Sequence, residues 1–346
     1  MVIDSLKVKR ILCIKLRGIG DVVLATVVLK NLKRQFPDAE IDFLTEPPSD
    51  LILETNPLIN KIILYKKKEK FGGLKTIRSV FKNRYDLVID LYSNPRTAFI
   101  TFASFAKYRA GFPYKGRGYA YNLHGSTDRI TYHSADLNLM LLGENGIPVI
   151  CKEIIVAYTR PDKEFAENFL SSHNLSSENV VCISPSGGWP SKKCDPVKFA
   201  EIADAITAVY NVKTLIVWGP KDKHQAEEIQ KLMKSDSVMA PPTKIRQMGA
   251  LMSKCSFVVS NDSGPMHIAA ASSVPVLALH GPTNPRLQGP YGKKHDWVRN
   301  ENLDCICCNL LECPKKHECF LDLPVANVLN KVEILINKNK INIKKR

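Results

Sequence analysis

Residues 10–21 read RILCIKLRGIGD, an apolar run followed by a glycine-bearing turn and an acid that opens an apolar helical stretch. A short apolar run ahead of such a turn is typical of a buried strand. We therefore expect a strand over 10–16, a turn at Gly18 and Gly20, and a helix from Asp21 to Phe36. A strand, a glycine turn and a helix in this order begin an α/β unit.

The same alternation continues along most of the 346 residues, which predicts parallel sheets covered by helices. It is interrupted where Pro161 and several serines stand close together. We predict a Rossmann-like domain over 1–158, a linker over 159–179, a second Rossmann-like domain over 180–323, and a helix with a basic tail over 324–346. Two such domains that face each other leave a cleft at the carboxyl ends of their strands, where ligands bind.

The composition is strongly basic, because 49 Lys and Arg oppose 34 Asp and Glu for a formal net charge of +15. This charge implies a nucleic acid, an anionic membrane surface or a phosphorylated substrate as partner, with a solvated basic surface as the alternative. No apolar stretch approaches the roughly 18 residues of a membrane helix, and the N-terminus lacks the pattern of a signal peptide. We therefore expect a cytoplasmic protein.

The first turn places Asp21 at a helix start, where the dipole and the free N–H groups favour an ionised carboxylate. Asp21 is thus a candidate general base, and a plain N-cap is the alternative. A dinucleotide-binding fingerprint would need a small residue near position 23, where the chain has Val23. Asp21 would also repel the pyrophosphate of such a cofactor.

A second turn, residues 184–193 (SPSGGWPSKK), follows another apolar run. Ser186, Gly187 and Lys192 offer a hydroxyl, a backbone N–H and an ammonium group, all of which bind phosphate. The Walker spacing is absent, so the turn does not support a P-loop NTPase. A charged surface loop is the alternative.

A third turn, residues 260–267 (SNDSGPMH), opens a helix of small residues. Asp262 or Ser263 can cap this helix, Gly264 lets a ligand approach the backbone, and a diphosphate fits at such a terminus. The alternative is a well-capped buried helix with His267 as a core histidine.

A fourth turn, residues 279–285 (LHGPTNP), follows the next apolar run. It either closes over a ligand or is only a rigid proline-rich turn.

Taken together, these motifs resemble glycosyltransferase family 9, the lipopolysaccharide heptosyltransferases and their relatives. The resemblance rests on Gly18–Asp21, on Trp189–Lys193 with the helix that follows it, and on Asn261–His267, and it covers most of the chain. It implies a GT-B fold, with the acceptor held mainly by the N-terminal domain and the nucleotide-sugar mainly by the C-terminal domain. It also implies metal-independent, inverting transfer of heptose from ADP-heptose to the inner core of lipopolysaccharide, with Asp21 as the general base.

The resemblance assigns further roles. Lys192 would neutralise the departing diphosphate, Asp262 would meet the sugar or phosphate edge, and His267 would orient its turn. The residues expected to bind the nucleotide-sugar are Ser186, Gly187, Lys192, Asp262, Ser263, Gly264 and His267. The N-terminal acceptor region is less family-like, but it is basic and aromatic, which suits a phosphorylated glycolipid at the inner membrane face. We expect Gly20, Lys67, Arg109 and Arg117 to bind this acceptor, and a solvated loop is the alternative for the lysine run at 66–68.

Five of the ten cysteines crowd into residues 305–319. The spacing of Cys305, Cys308, Cys313 and Cys319 suggests a structural metal, zinc or iron, that holds a loop with little core of its own. Free or redox-labile thiols are the first alternative and disulfides the second, since a reducing compartment disfavours them. We expect the cluster to be structural and not catalytic.

Other functions stay open on the sequence alone. An enzyme with the same fold and donor class could glycosylate protein Ser or Thr, or another glycan. A nucleic-acid-binding module would explain the charge, but no recognition motif is present and aromatic residues are only 8% of the chain, so we expect no nucleic-acid partner. A nicotinamide oxidoreductase is disfavoured by Val23.

Overall fold

The structure is a computed structural model that describes residues 3–67, 69–176 and 179–345. It consists of two compact units, Met1–Ala157 and Tyr158–Arg346, called the first and the second unit below. Within the described residues, no helix is both long enough and apolar enough to cross a membrane.

The first unit contains a six-stranded parallel sheet with helices around it. Its strands are β1 (Arg10–Ile14), β2 (Glu40–Thr45), β3 (Lys61–Leu64), β4 (Leu87–Asp90), β5 (Tyr108–Gly111) and β6 (Leu123–His124). Its α-helices are α1 (Ile19–Ala25), α2 (Val27–Gln35), α3 (Gly72–Asn83), α4 (Pro95–Ala103) and α5 (Ser134–Gly143). The strand order is β3-β2-β1-β4-β5-β6.

The second unit repeats this architecture. Its strands are β7 (Val180–Ser184), β8 (Lys213–Ile216), β9 (Ser237–Met239), β10 (Phe257–Asn261), β11 (Val276–Leu279) and β12 (Asp296–Val298). Its α-helices are α6 (Arg160–Ser172), α7 (Pro196–Tyr210), α8 (Lys223–Leu232), α9 (Ile245–Met252), α10 (Gly264–Ala271), α11 (Pro285–Gln288), α12 (Glu318–Leu321) and α13 (Val325–Asn339). The order β9-β8-β7-β10-β11-β12 matches that of the first sheet strand for strand.

The central strands form the cores of the two units. Strands β4, β7 and β10 are buried at every position, as expected of parallel strands that helices cover on both faces. Helix α13 shows how a helix joins such a core, because its buried Val328, Val332, Leu335 and Ile336 follow the helical repeat along one face. The central strands therefore coincide with apolar runs of the sequence, and polar residues stand in the turns that follow these strands.

Within the segment predicted as a linker, residues 159–179, Arg160–Ser172 form helix α6 of the second unit. Thr159 and Asp162 form a reciprocal capping box at the start of α6. Arg246 of α9 pairs with Asp162 at 3.2 Å and ties α6 to the rest of the unit. Pro161 and Thr159 are therefore helix N-terminal signals here, where the sequence analysis took the polar and proline residues as loop signals.

Candidate active site

Asp21 lies in the first turn of α1, which follows β1. The N-cap of this helix is Gly18, so Asp21 is not the N-cap that the sequence left open. Gly18 has a φ of 87°, and a Cβ atom at this position would collide with Asp21 Oδ2. Only glycine therefore allows the carboxyl group to fold back over the turn.

The carboxylate of Asp21 is accessible and has a cation beside it. The Asp21 side chain is 51% exposed, and Lys15 Nζ lies 3.6 Å from Asp21 Oδ1. Lys15 Nζ also donates to the carbonyl oxygen of Leu91 at 3.2 Å and lies 5.4 Å from the ring centre of Tyr92. Lys15 thus links the turn after β1 to the loop after β4, and sequence reasoning missed it.

More charged residues follow the neighbouring strands of the first sheet. Arg96 Nη1 lies 3.7 Å from Glu46 Oε1, and the Arg96 guanidinium lies 5.5 Å from the ring centre of Tyr65. Glu46 follows β2, Tyr65 follows β3, and Arg96 begins α4 after β4. These side chains share the carboxyl edge of the sheet with Asp21, which is where ligands bind in such folds.

Asp90, at the end of β4, is a second acid of this sheet that the sequence analysis did not single out. It is fully buried and accepts hydrogen bonds from the Tyr121 hydroxyl at 2.8 Å and from the backbone N–H of Ser93 at 2.8 Å. Burial raises the pKa of Asp90, against these hydrogen bonds, which lower it. Asp90 therefore holds the loop after β4 and is closed to solvent.

The residues predicted to bind the acceptor lie at different places in the first unit. Gly20 is buried in α1 next to Asp21, and Lys67 is exposed in the loop after β3. The Arg109 guanidinium donates to the carbonyl oxygens of Ala106 and Ala120, at 2.6 Å and 3.1 Å, so it is engaged within its own unit. Arg117 lies in the 3₁₀ segment Tyr114–Ala120, half-buried.

In the second unit, the turn after β7 meets the turn after β10. Lys192 Nζ lies 2.7 Å from Asp262 Oδ2, with only 11% and 6% of the two side chains exposed. The Lys192 ammonium also lies 4.4 Å from the ring centre of Trp189. The structure thus brings together two of the residues predicted for donor binding, in a nearly buried ion pair.

Thr283 and His280, from the turn after β11, complete this polar cluster. The Thr283 hydroxyl donates to Asp262 Oδ2 at 2.5 Å, and His280 Nδ1 lies 3.3 Å from Thr283 Oγ1. Burial lowers the pKa of His280 to about 4. Burial by itself would raise the pKa of Asp262. The charges of His280 and Lys192 and the hydrogen bonds from Lys192 and Thr283 have the larger effect, so the pKa of Asp262 is lowered overall. Because His280 is neutral near pH 7, Lys192 supplies the positive charge there.

The start of α10 presents backbone donors beside this cluster. Ser263 is the N-cap residue and makes no side-chain capping hydrogen bond, while Gly264 is the first residue of the helix. Asn261 Nδ2 donates to the Pro185 carbonyl at 2.7 Å and joins the two turns. His267, in the same helix, is buried. A helix start with uncapped N–H groups is suited to an anion.

Ser186 and Gly187 lie in the turn after β7. The Ser186 hydroxyl is buried and accepts from the backbone N–H of Gly219 at 3.2 Å. A Cβ atom at Gly187 would lie 2.5 Å from Lys193 Cγ, and Lys193 Nζ pairs with Asp222 at 2.5 Å. Ser186 thus holds the turn against the loop after β8, and the glycine makes room for the lysine stem.

All ten cysteines are free thiols, and Cys305, Cys308, Cys313 and Cys319 line one small pocket. Burial and the neighbouring thiols raise the pKa of Cys319 to about 12. Among the described residues, no three His, Cys, Asp or Glu side chains stand in ligand geometry around a common point. The four thiols therefore share a pocket without forming a closed coordination set.

The cysteine segment is hydrogen-bonded to both turns of the polar cluster. The Ser191 hydroxyl donates to the carbonyl of Leu310 at 2.5 Å, and the Ser191 N–H donates to that of Leu311 at 3.1 Å. The N–H groups of Cys307 and Asn309 donate to the carbonyls of Gly281 and Pro282, at 3.2 Å and 2.8 Å. Residues 307–311 therefore connect the neighbours of Lys192 with those of Thr283.

Comparison with known proteins places the chain in a class. Residues 74–318 match the model of glycosyltransferase family 9 (heptosyltransferase). The chain is 27% identical, over 81% of each sequence, to the lipopolysaccharide core heptosyltransferase OpsX of Haemophilus influenzae. Two GT-B structures share its fold. The family 9 glycosyltransferase of Veillonella parvula has a TM-score of 0.83 and 24% identity, covering 97% of this chain and 99% of that one.

The second structure, the ADP-heptose lps heptosyltransferase II of E. coli, has a TM-score of 0.77 and 21% identity, covering 96% of this chain and 99% of that one. The fold is thus α/β of the GT-B type, a two-domain architecture of sugar transferases. The chain belongs to glycosyltransferase family 9, the heptosyltransferases, and is a glycosyltransferase. The predicted fold class, family and enzyme class are confirmed, and the roles of the individual site residues stay predictions.

Proposed function

We propose that the protein transfers heptose from ADP-heptose to a hydroxyl group of the lipopolysaccharide inner core, with Asp21 as the general base. The observation that carries the proposal is the accessible Asp21 carboxylate at the carboxyl edge of the first sheet, held over Gly18 beside Lys15. The names of the relatives support the donor and the acceptor, since they describe lipopolysaccharide and ADP-heptose enzymes.

The proposed reaction is a single inverting displacement. The acceptor oxygen forms a bond to the anomeric carbon while the bond from that carbon to the diphosphate oxygen breaks. The acceptor proton passes to Asp21, and the bonding electron pair leaves with ADP. A general base needs access to the proton that it removes, and the half-exposed carboxylate meets this condition.

The developing charge on ADP needs positive partners in the second unit. We propose that Lys192 and the N–H groups at Ser263 and Gly264 receive the diphosphate, as fixed donors at a helix start do for phosphates. Ser186 and Gly187 would shape the same turn, and His267 would hold α10 in place.

Asp262 is proposed to bind sugar hydroxyls and not phosphate. Both hydrogen bonds from Lys192 and Thr283 end on Oδ2, and the carboxylate stays ionised because its pKa is lowered. An ionised carboxylate repels phosphate but accepts well from hydroxyl donors through Oδ1.

For the acceptor, we propose that Lys67 and Arg117 contact phosphate groups of the glycolipid and that Gly20 leaves room beside Asp21. Arg109 would act indirectly, because its guanidinium binds the carbonyl of Ala120 at the end of the segment that carries Arg117. The ligand-binding cleft expected between two facing domains stays a prediction.

Mass analysis of products from ADP-heptose and a truncated inner-core glycolipid tests the proposal. Asp21→Asn should lower kcat by about 10²- to 10⁴-fold, because the general base is lost, and should leave ADP affinity unchanged. Asp38→Asn is the control, since this acid is exposed and precedes β2, whereas Asp21 follows a strand at the carboxyl edge of the sheet. Comparable turnover in Asp21→Asn would remove Asp21 from the mechanism.

The same assay separates the acceptor classes. A Ser- and Thr-containing protein acceptor and an unrelated glycan are offered in parallel, because an enzyme of this fold and donor class could use either. Heptose on the protein with none on the glycolipid would favour protein glycosylation and contradict the inner-core acceptor.

We propose in addition that Cys305, Cys308, Cys313 and Cys319 hold a structural zinc or iron. Four thiols around one pocket are a suitable donor set for either metal. Such a metal would fix the segment whose carbonyls bind Ser191, next to Lys192. It would supply stability to this segment and no step of the transfer.

Elemental analysis of protein purified under reducing conditions tests the metal. We expect about one zinc or iron per chain, with loss of the metal and a lower Tm in Cys308→Ser. Cys307→Ser is the matched control, because the Cys307 thiol accepts from Arg299 Nη1 at 2.9 Å and does not line the pocket. A metal-free wild type with free thiols would contradict the site.

A further inference from the structure

An exposed row of aromatic rings lies on the first unit, across α3, α4 and the segment Tyr114–Ala120. The ring of Phe105, 72% exposed, lies 5.8 Å from that of Phe81 and 6.4 Å from that of Phe102. The ring of Phe102 lies 5.7 Å from that of Tyr119. All four side chains are exposed, although aromatic side chains of this size are normally buried. We call this row the aromatic row.

Three further apolar side chains extend the surface along the same two helices. Phe71 is the N-cap residue of α3, Leu74 lies seven residues before Phe81 in that helix, and Phe99 lies three residues before Phe102 in α4. All three are exposed. Spacings of three and seven residues place side chains on one helix face, so Leu74 and Phe99 share the faces of Phe81 and Phe102 and extend the exposed apolar surface. Contiguous exposed apolar surface marks an interaction site.

The charges around the aromatic row have one sign. Residues 70–84 and 95–121 contain ten Lys and Arg and no Asp or Glu. Seven of the ten are exposed, namely Lys70, Lys75, Arg78, Lys82, Arg84, Lys107 and Lys115. The nearest acid in sequence is Glu69, which pairs with Lys66 and Lys75. The surface therefore combines exposed rings with a rim that stays positive overall, since Glu69 compensates only part of its charge.

We propose that this surface docks the enzyme on an anionic phospholipid bilayer. Aromatic rings favour the depth of the lipid headgroups, and each nearby Lys or Arg contributes about 1 kcal/mol of attraction to an anionic leaflet. Apolar insertion and a basic rim together are the two signals that stable peripheral binding requires. The role of the docking, to bring the enzyme to a lipid-borne acceptor, rests on the proposed function.

Two other occupants fit the geometry less well. Single-stranded nucleic acid stacks its bases on free ring faces, whereas Phe81 and Phe105 meet at 78° and Phe102 and Tyr119 at 68°, with ring edges turned toward ring faces. A second copy of the chain would bring two positive rims together, and like charges across an interface are costly. Anionic lipid satisfies both the rings and the charges.

Vesicle co-sedimentation of the full chain tests the proposal. The wild type should bind vesicles that contain phosphatidylglycerol at least about tenfold more tightly than vesicles of phosphatidylcholine alone. Phe81→Ser with Phe105→Ser should weaken this binding by about tenfold or more, because two inserted rings are lost. Ile130→Ser, at a position 86% exposed in the same unit, should bind like the wild type.

The charge is tested separately. Lys82→Glu with Lys107→Glu should abolish the preference for anionic vesicles, while Lys221→Glu, an exposed residue of the second unit, should keep it. An unchanged Tm in each variant shows that the fold is intact. Equal vesicle binding by the wild type and the ring variant would overturn the proposal.

Two further readouts distinguish the other outcomes. If the ring variant lost affinity for a single-stranded oligonucleotide, or changed from dimer to monomer, while vesicle binding stayed at wild-type level, the surface would not be a membrane site. Transfer to a soluble acceptor without acyl chains should be the same in the ring variant and the wild type. If the wild type fails in that assay, the proposed function fails, and the vesicle result stands independently.

Discussion

Each unit carries a Lys–Asp pair at the carboxyl edge of its sheet, and the two pairs differ in burial. Lys192 and Asp262 lie 2.7 Å apart and are nearly buried, and Thr283 holds the same carboxylate oxygen. Lys15 and Asp21 lie 3.6 Å apart, with half of the Asp21 side chain exposed. The two lysines are about equally buried, at 12% and 11% exposed, so it is the aspartates that differ in exposure. The places of the pairs differ as well, because Lys15 and Asp21 both follow β1, whereas Lys192 and Asp262 follow the neighbouring strands β7 and β10.

This difference indicates a division of labour. A buried and paired carboxylate keeps its proton state and its position, which suits a residue that orients a ligand. An accessible carboxylate can take a proton from a substrate, which suits a general base. Under the proposed function, the same two residue types would serve recognition in one unit and proton transfer in the other.

The largest expected effect is on folding stability when the lysine of each pair is replaced. Lys192→Met should lower the free energy of unfolding by about 3 kcal/mol or more, because Asp262 is left buried and unpaired. Lys15→Met should lower it by less than about 1 kcal/mol, because water solvates Asp21. Urea unfolding of both variants measures the contrast, and equal losses would show that the two pairs do not differ in this way.

Acid should destabilise the second unit more than the first. Burial lowers the pKa of His280 and of His295 to about 4. As the pH falls, both histidines are therefore protonated in the unfolded chain before they are protonated in the folded one. As pH falls from about 6.5 to about 4, each histidine should cost the second unit about 3 kcal/mol. Burial raises the pKa of Asp90 in the first unit, so protonation of this buried carboxylate in acid should stabilise that unit.

Hydrogen exchange at neutral and acid pH, read separately in the two units, measures this response. Protection should fall first in the second unit. His295→Gln should reduce the pH dependence of urea unfolding, whereas His224→Gln, at a side chain 94% exposed, should not change it. Earlier loss of protection in the first unit would contradict the assignment.

The smallest effect is expected from the hydroxyl that holds Asp262. Thr283→Val removes one hydrogen bond to a charged group and should cost about 1.5–3 kcal/mol of stability. ADP affinity should change little, since Lys192 keeps its position. Thr131→Val, at an exposed position of the first unit, is the control and should stay within about 0.5 kcal/mol of the wild type. A wild-type stability for Thr283→Val would show that Lys192 alone fixes the carboxylate.

The sequence was sufficient for the parts of the fold that local pattern determines. The central strands and the turns after them were predicted because apolar runs end at glycine, serine or aspartate. Strands β5, β6, β9 and β12 were not predicted, because they have two to four residues and three of them, β6, β9 and β12, form sheet edges. Helix α6 was missed because Thr159 and Pro161 signal both loops and helix starts.

The site was predictable only in its local motifs. Asp21, Lys192 and Asp262 stand in recognisable turns, so sequence reasoning found them. The partners that set their properties come from other segments: Lys15 reaches the loop after β4, and Thr283 reaches Asp262 across 21 positions. Such contacts follow from the packing of neighbouring strands and leave no local signal in the sequence.

Gly18 limits which single substitutions the turn before α1 can accept. Its missing side chain is the space into which the Asp21 carboxyl folds, and its φ of 87° suits only glycine without strain. An alanine there adds one methyl group and no charge, yet it would move the acid from its place. With Asp21 as the proposed general base, Gly18→Ala should therefore lower the transfer rate as much as Asp21→Asn does in a screen of single substitutions.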